Sequence, residues 1–263
     1  MNTTRWHPTP LLTGSALCHL LAALALLLWP RQWPWPLAAL VVNHLWLAAA
    51  GLLPRAQALG PSWTRLPKPD AVAITIDDGP DPDVTPQVLA ILRRHGARAT
   101  FFCIGERALR HPDLIAAIVA DGHAVESHSQ RHRLDFSLFG PWRMAREIDE
   151  AQHTLTRLCG QAPRFFRAPA GLRNPWLDWL LFTRGLQLAS WTRRGFDTRE
   201  TSPERVADRL LRSLRGGDIL LLHDGHAARS AHGIPLIVAV LPRLLNELDR
   251  AGLETVTLRS QLE

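Results

Sequence analysis

The residues best suited to chemistry are two carboxylates and two imidazoles in separate motifs. Asp77 and Asp78 follow the apolar run 71–74, and His128 and His132 stand four positions apart. Two histidines and one carboxylate around an open coordination position form a known hydrolytic metal set, which zinc occupies most often. Side chains alternate along a strand, so Asp77 and Asp78 share no role unless the backbone turns between them. We therefore predict that Asp78, His128 and His132 bind a metal and that Asp77 is left as a base.

Each motif also has an ordinary structural explanation when it is taken alone. Two Asp residues before Gly79-Pro80 are typical of a turn that ends a strand. The two imidazoles lie on one face only if residues 128–132 form one helical turn, and His is common in caps and on surfaces. The combination of the two motifs favours the metal site.

Apolar runs that alternate with helical patterns predict the elements that position these residues. The predicted strands are 71–74, 99–104, 123–126, 164–167, 186–191, 218–223 and 253–258. The predicted helices are 86–96, 114–119, 141–158, 175–183, 202–214 and 235–251. This alternation indicates parallel βα units, hence either a closed or nearly closed barrel or a doubly wound sheet.

In either architecture the chemistry belongs at the carboxyl ends of the strands. The conspicuous polar residues all follow predicted strands: Asp77, Asp78, His128, His132, Arg167, Asp197 and His223. We expect these side chains to meet on one rim of the sheet.

The N-terminal part of the chain differs in composition from the rest. Residues 11–29 carry no formal charge, and residues 37–53 form a second apolar stretch that contains Asn43 and His44. A cleaved signal peptide, a single anchor and a two-helix hairpin are the alternatives, and we favour the hairpin because each stretch approaches the length of a membrane span. We therefore expect a membrane segment at 1–59, a proline-rich linker at 60–69 and one α/β domain at 70–263.

The charges that flank the two stretches predict an orientation. Arg5, Arg55, Arg65 and Lys68 lie on one side of the hairpin, and Arg31 lies alone on the other. The positive-inside bias then places both termini and the domain on the cytoplasmic face of a bacterial-type inner membrane. If only the first stretch spans the membrane, the same rule places the domain outside.

The overall charge narrows the classes of partner. The net charge is +6 and the positive residues are almost all Arg, yet they are scattered, so neither a basic run nor a motif for nucleic-acid binding is present in the sequence. An anionic bilayer face or a phosphate-bearing substrate fits this charge better. Cys18, Cys103 and Cys159 show no paired spacing, which argues against a disulfide framework and weakly favours a reducing compartment. The sequence leaves the oligomeric state open.

Five motifs in order resemble the polysaccharide deacetylases of carbohydrate esterase family 4, which share the homology domain of nodulation chitooligosaccharide deacetylases. The matching runs are Thr75-Ile76-Asp77-Asp78-Gly79, His128-Ser129-Gln130-Arg131-His132, Arg167-Ala168-Pro169-Ala170-Gly171, Asp197, and Leu221-Leu222-His223. Together they span about 70–258 and are far more specific than any one of them. The resemblance implies an α/β fold in the form of a distorted (β/α) barrel, here with about seven parallel strands.

The resemblance also implies an activity and a role for each matched residue. The reaction would be removal of an acyl group from an amino sugar, helped by one divalent ion that is most often Zn²⁺. Asp78, His128 and His132 would be the metal ligands, and Asp77 would be the general base. His223 would be the general acid, and Asp197 would tune its pKa. Arg167 would orient Asp77. The backbone of Ala170 and Gly171 would contact the substrate.

The chain departs from the family pattern in two motifs. Ala170 stands where the family usually has an aromatic residue, and 194–198 lacks one acid and the tryptophan of the usual Asp-x-x-Asp-Trp. These two changes alter the substrate surface and not the catalytic residues. From the resemblance and the membrane segment, the expected substrate is an acylated amino-sugar glycan or a lipid-linked sugar at the membrane. A deformylase of a lipid-linked amino sugar and an inactive sugar-binding or scaffold protein remain as alternatives.

Several other polar residues are given ordinary structural explanations. His123 is predicted to pack at a strand start, His226 and His232 to lie in a surface loop, and Cys103 to be an inert core residue. The charged run 146–150 is predicted to be a solvated helix face.

Overall fold

Strand β1, which ends at the first of the two Asp residues, lies in the interior of one parallel sheet. The computed structural model describes residues 5–262. Within them, eight strands are present: β1 Ala71–Asp77, β2 Ala99–Cys103, β3 Ala124–Ser127, β4 Phe165–Phe166, β5 Gln187–Leu188, β6 Arg193–Arg194, β7 Ile219–His223 and β8 Glu254–Thr255. The order across the sheet is β5-β4-β3-β2-β1-β7-β6, and β8 pairs with the amino end of β1. The predicted α/β fold with about seven parallel strands is confirmed, in the form of a curled half-barrel.

Burial explains why the central strands read as almost continuous apolar runs. Every residue of β1, β2, β3 and β7 is buried, because helices cover one face of the sheet and the interior of the curl covers the other. The largest core cluster joins β1, β2 and β7 to α3 Thr85–Arg94, α8 Pro203–Leu211 and α9 Leu236–Arg250. The carboxyl ends of these strands are thereby held at one level.

The remaining helices, apart from one, follow the predicted pattern with small differences in their ends. They are α1 Pro10–Leu28, α2 Pro34–Leu52, α4 Gly105–Arg110, α5 Pro112–Ala120, α6 Pro141–Cys159 and α7 Leu177–Phe182. Helix α4 was not predicted, because six residues are too few to show a helical repeat of apolar positions.

The predicted strand at 186–191 is shorter than expected, and a separate strand follows it outside that range. Strand β5 ends at Leu188, and the chain then pairs with Trp63, whose N–H donates to the Leu188 carbonyl at 2.8 Å and whose carbonyl accepts from Ser190 N–H at 2.8 Å. After this bridge the chain crosses to β7 and forms β6. The ladder is interrupted because the chain passes from one side of the curled sheet to the other.

The segment predicted as a linker packs against the domain. Besides the Trp63 bridge, Trp63 lies edge-on to Phe165 with ring centroids 5.2 Å apart, and Arg65 binds the buried Asp218 carboxylate at 2.5 Å. Leu59 and Leu66 are buried as well. Residues 59–66 therefore hold the N-terminal helices close to the sheet.

Helices α1 and α2 form an antiparallel hairpin whose open end contacts the domain. Both are long and apolar enough to cross a membrane, by length and composition, and the two pack along each other. At the open end, Gly51 accepts a hydrogen bond from Arg173 N–H at 3.2 Å, and Pro54 accepts one from the Ser190 hydroxyl at 2.9 Å. The hairpin is thus attached beside residues 168–173.

Candidate functional site

The five strand ends singled out in the sequence meet at one cleft of about 480 Å³. Seven of the nine predicted site residues line it: Asp77, Asp78, His128, His132, Ala170, Gly171 and His223. The other two, Arg167 and Asp197, are fully buried directly behind it. The structure therefore brings all nine residues together.

The two Asp residues face different neighbours because the backbone turns at Asp78. Asp77 is the last residue of β1, and its register partner on β7 is His223. Asp78 has a φ of 73°, in the left-handed region, so its side chain leaves the alternation of the strand. The turn begins one residue earlier than the Gly79-Pro80 turn predicted from the sequence. A side chain on Gly79 would collide with the Asp224 carboxylate.

The two histidines converge for a reason that differs from the predicted one. Residues 128–132 form an irregular loop and not a helical turn, since Ser129 and His132 both have positive φ. The Ser129 hydroxyl accepts a hydrogen bond from His132 N–H at 3.0 Å and closes the loop. The rings end up 4.7 Å apart between centroids.

The ligand atoms of Asp78, His128 and His132 all lie within 4.8 Å of one another. His128 Nδ1 lies 2.8 Å from the Arg167 carbonyl, so this nitrogen carries the proton and Nε2 presents its lone pair. The Nε2 atoms of His128 and His132 lie 3.3 and 3.2 Å from Asp78 Oδ1. Among the described residues, no hydrogen-bond donor satisfies this buried Oδ1.

Electrostatics at these three residues suits a cation. Burial would raise the pKa of Asp78, but the nearby His128, His226 and His132 rings lower it well below its ordinary range. Burial, together with the neighbouring His128, lowers the pKa of His132 to about 4, so this ring is neutral at physiological pH. Two imidazole nitrogens and an ionised carboxylate whose buried Oδ1 is unsatisfied together fit a divalent metal ion.

Arg167 fixes Asp77 from behind. Its guanidinium donates to Asp77 Oδ1 at 2.6 Å, to the Thr75 hydroxyl at 2.8 Å and to the Ser190 carbonyl at 2.7 Å. It also lies over the Phe102 ring at 4.1 Å. Burial lowers the pKa of Arg167 and the Asp77 carboxylate opposes that effect, so the two charges depend on each other.

His223 is held by Asp197 in a similar way. Asp197 Oδ1 lies 2.9 Å from His223 Nδ1, and its Oδ2 accepts the His223 backbone N–H at 2.7 Å. Burial acts to lower the pKa of His223, but the Asp197 carboxylate outweighs burial and raises it. The imidazolium form therefore persists to higher pH, and Nε2 remains to exchange a proton with a bound molecule.

Residues 168–171 form a tight turn at the wall of the cleft. Ala170 has a φ of 55° and Gly171 a φ of 72°. A side chain at position 171 would collide with Trp191 and with Pro54 at the end of the hairpin. The hairpin thus packs against the wall of the cleft.

His226 was assigned to a surface loop without a role, and the structure corrects this assignment. Its side chain is half exposed on that loop, yet Nδ1 lies 2.9 Å from Asp78 Oδ2. Its Nε2 lies 3.1 Å from the Arg107 guanidinium, which also donates to the Gly225 carbonyl at 2.8 Å. The second oxygen of Asp78 is therefore oriented by a residue that the strand pattern did not reveal.

The prediction of a solvated face at 146–150 is wrong for Glu147. This carboxylate is buried, and it accepts hydrogen bonds from Arg131 N–H at 3.0 Å and from the Arg131 guanidinium at 2.8 Å. It therefore supports the loop that carries both histidines. Helical spacing could have revealed it, since Glu147 lies three positions after Met144 and four before Ala151, both buried on the core face of α6.

Asp224 is a further acid behind the cleft, and its role was not predicted from the sequence. It is buried, and its Oδ2 accepts the Thr85 hydroxyl at 2.5 Å. Burial, with repulsion from Asp78 and Asp81, raises its pKa to about 7. Its only signal in the sequence is that a carboxylate directly follows the apolar β7.

The altered fourth motif changes the charge of the cleft. Arg194 and Thr198 stand at the positions where the resemblance expects an acid and a tryptophan, and both line the cleft. Arg194 lies beside the rings of Trp191 and Phe196, at 5.7 and 5.2 Å from their centroids. Arg107 and Arg110 line the same cleft. Within residues 5–262, none of these three arginines forms an ion pair with a carboxylate.

Comparison with known proteins agrees with this geometry. The sequence profile of the polysaccharide deacetylase family matches residues 65–188. A peptidoglycan-N-acetylglucosamine deacetylase of Bacillus cereus is 35% identical over 193 residues, covering 73% of this chain and 87% of the relative. A chitooligosaccharide deacetylase of Sinorhizobium fredii is 39% identical over 191 residues, covering 69% and 87%.

Solved structures give the same result for the fold. The crystal structure of a peptidoglycan N-acetylglucosamine deacetylase in complex with a hydroxamate-type benzamide superposes with a TM-score of 0.68 at 28% identity. It covers 75% of this chain and 91% of that one. The chain belongs to the polysaccharide deacetylase family, the carbon–nitrogen hydrolases that cleave N-acetyl amide bonds.

Proposed function

We propose that this protein is a metal-dependent hydrolase that removes an N-acyl group, in the first place N-acetyl, from an amino sugar. The observation that carries the proposal is the convergence of a metal-type ligand group with Asp77 and His223 in one cleft. Asp77 and His223 are register partners on adjacent strands, so a base and an acid flank the same space. Amide hydrolysis requires both.

Asp78, His128 and His132 would hold the cation, and a set of two imidazoles and one carboxylate favours Zn²⁺. When bound, the metal polarises the acyl oxygen and lowers the pKa of water. His128 is kept in the required tautomer by the Arg167 carbonyl. His226 and Arg107 orient the carboxylate of Asp78.

Asp77 is the proposed general base. Its Oδ1 is occupied by Arg167, which leaves Oδ2 to accept a proton from the attacking water. Oδ2 lies 3.8 Å from His128 Nε2, so it is next to the ligand group. Arg167 positions the carboxylate through this hydrogen bond.

His223 is the proposed general acid. The Asp197 carboxylate raises the pKa of His223, so a larger share of the rings carries a proton that can be transferred to the amine that leaves. Without this proton the nitrogen would have to leave as an amide anion, so the transfer lets the C–N bond break with release of a neutral amine.

One backbone N–H at the wall is proposed to contact the acyl oxygen. Gly171 N–H donates to the Ala168 carbonyl at 2.8 Å, so the Ala170 N–H is the better candidate of the two predicted residues. The missing aromatic residue at position 170 does not affect this contact.

The substrate class follows from the relatives and from the charge of the cleft. Relatives are named for peptidoglycan and chitooligosaccharide substrates, which supports an N-acetylated amino-sugar glycan. Arg194 stands where the family usually has an acid, and together with Arg110 it favours an anionic group, such as a phosphate, next to the sugar. A lipid-linked amino sugar phosphate combines these features and is the second candidate substrate.

Residues 1–59 are proposed to anchor the protein in a bacterial-type inner membrane, with the domain on the cytoplasmic face. Support comes from two helices of spanning length and from the positive flanks Arg5 and Arg55. Accessibility labelling of single cysteines placed at 61–70 tests the orientation. Labelling from the periplasm would overturn it.

The activity is tested with the full-length protein in detergent, loaded with Zn²⁺ and given an N-acetylglucosamine oligosaccharide. We expect release of acetate, abolished by a chelator and restored by metal. Asp77→Asn should lower turnover by about 10²- to 10⁴-fold with metal retained, because it removes the base alone. His128→Ala should lose the metal.

Other outcomes distinguish the alternatives. Equal loss of metal in both variants would contradict the division between ligand and base. A metal-loaded protein that binds glycans without releasing acyl groups would be a sugar-binding protein, and release of formate from an N-formyl sugar but no acetate would indicate a deformylase.

A further inference from the structure

The three most exposed large apolar side chains among the described residues of the domain lie on one segment. Leu134, Leu138 and Trp142 are 82%, 83% and 86% exposed and are spaced four residues apart. Large apolar side chains clustered at such exposure mark a contact surface. Together with Trp176 and Trp179 we call them the apolar surface.

This segment is held in place and not loosely folded. The Asn174 amide donates to the Ser137 carbonyl at 3.1 Å and to the Phe139 carbonyl at 2.9 Å. Phe136 and Phe139 are buried beside Phe166. The buried phenylalanines anchor the segment, so Leu138 and Trp142 are kept facing outward.

The apolar surface is continuous with the hairpin. A groove of about 910 Å³ is lined on the domain side by Leu138, Trp176 and Trp179 and on the hairpin side by Leu12 and Leu47. The hairpin is tied down at this end, since Trp6 Nε1 donates to Asp178 Oδ2 at 2.7 Å. The domain therefore contacts the first turns of α1 and the last turns of α2.

The position of the apolar surface along the hairpin indicates that its contact partner is the lipid bilayer. Each helix has 19 residues, and at 1.5 Å per residue that spans roughly the 30 Å of a bilayer core. In the described part of the chain, the outward-facing leucines and valines of α1 and α2 are exposed and pack against no other protein element. Side chains of the domain beside Leu12 lie at the level where such helices enter the headgroup region, which tryptophan favours.

The apolar surface also reaches the cleft. Leu134 follows His132 by two residues and lines the cleft with it. We propose that the apolar surface rests on the lipid bilayer, holds the mouth of the cleft at the lipid headgroups and selects amino sugars that are carried on a lipid. The contact with the bilayer rests on the proposed membrane anchor, whereas the substrate selection rests also on the proposed deacetylase activity.

The contact is tested first, with the full-length protein reconstituted in vesicles of phosphatidylcholine and phosphatidylglycerol. Cys18 and Cys159 are replaced by alanine, and Cys103 is fully buried and unreactive. A fluorophore is then attached in the variant Leu138→Cys and in the matched control Val119→Cys, an exposed apolar position on α5. Brominated lipids should quench position 138 and not position 119. Absence of quenching at 138 would overturn the contact with the bilayer.

The selection is tested with two N-acetylglucosamine substrates, one a water-soluble oligosaccharide and one a glycoside with a lipid tail in vesicles. The double variant Leu138→Ser and Trp142→Ser should lose activity on the lipid-borne substrate on the order of tenfold, through lost apolar contact. Its activity on the soluble substrate should be unchanged, and Val119→Ser should be unchanged on both. Equal loss on both substrates, or no loss on either, would overturn the selection. A wild-type protein inactive on both would contradict the proposed function, while the quenching still decides the contact.

Discussion

Replacing Arg167 with methionine removes the cation that faces Asp77 inside the domain. Both side chains are almost completely buried, and the guanidinium makes hydrogen bonds to Asp77, Thr75 and Ser190. Methionine keeps much of the packing against Phe102 but leaves the carboxylate without a partner. The expected result is a large loss of stability.

The size of the loss follows from these contacts. Removing one partner of a buried pair costs about 3–5 kcal/mol, and the carbonyl of Ser190 that loses its donor adds about 1 kcal/mol. For a domain of this size each kcal/mol lowers the Tm by about 2–4 °C. We expect Arg167→Met to lower the Tm by roughly 10–20 °C.

A double-mutant cycle isolates the pair. Adding Asp77→Asn to Arg167→Met removes the unpaired charge and should recover about 2 kcal/mol or more. Thermal unfolding of the full chain in detergent, followed by circular dichroism, measures all four proteins. A chelator is present throughout, so that metal binding does not contribute to stability.

The control keeps the charge and changes the shape. Arg167→Lys retains a cation opposite Asp77 but loses the planar fork that reaches Thr75 and Ser190 together. It should be less destabilised than Arg167→Met. If Arg167→Met and Asp77→Asn add within about 0.5 kcal/mol, the two charges are not coupled and Arg167 does not hold the proposed base.

Two further predictions concern the acid and the metal ligand. Because Asp197 raises the pKa of His223, Asp197→Asn should lower it, and the alkaline limb of kcat should move to lower pH; an unchanged profile would mean that another group supplies the proton. His226→Gln should weaken Zn²⁺ binding by about tenfold, because Asp78 Oδ2 loses its orienting imidazole; calorimetric titration measures this, and an unchanged affinity would show that Asp78 needs no support from His226.

The fold was predictable because its central strands are buried on both faces. Strands β1, β2 and β7 read as short apolar runs, and their carboxyl ends coincide with the polar residues of the cleft. The prediction failed where pairing came from a distant segment. The strand predicted at 186–191 stops at Leu188, where the chain pairs with Trp63, and no local pattern in the sequence indicates that partner.

For the site as well, local sequence patterns predicted the central residues, and contacts from distant segments were missed. The metal-type group was found by residue type and strand position, although the loop between the histidines is closed by Ser129 and not by a helical turn. His226 reaches Asp78 only through the tertiary fold, so its position in the sequence carried no signal. Glu147, in contrast, was visible in the helical spacing of α6 and was missed because its neighbours are charged.

The contact between the hairpin and residues 168–173 has a consequence for the order of assembly. Pro54 packs against Gly171, and Gly51 accepts the Arg173 N–H, so one wall of the cleft is completed by the N-terminal part of the chain. That part is made before the domain, whereas His223 is the last of the nine site residues to be made. The complete cleft therefore forms only after the late strand β7 has joined a hairpin that is already in place, and a soluble fragment that begins after Pro54 would lack this support for its wall.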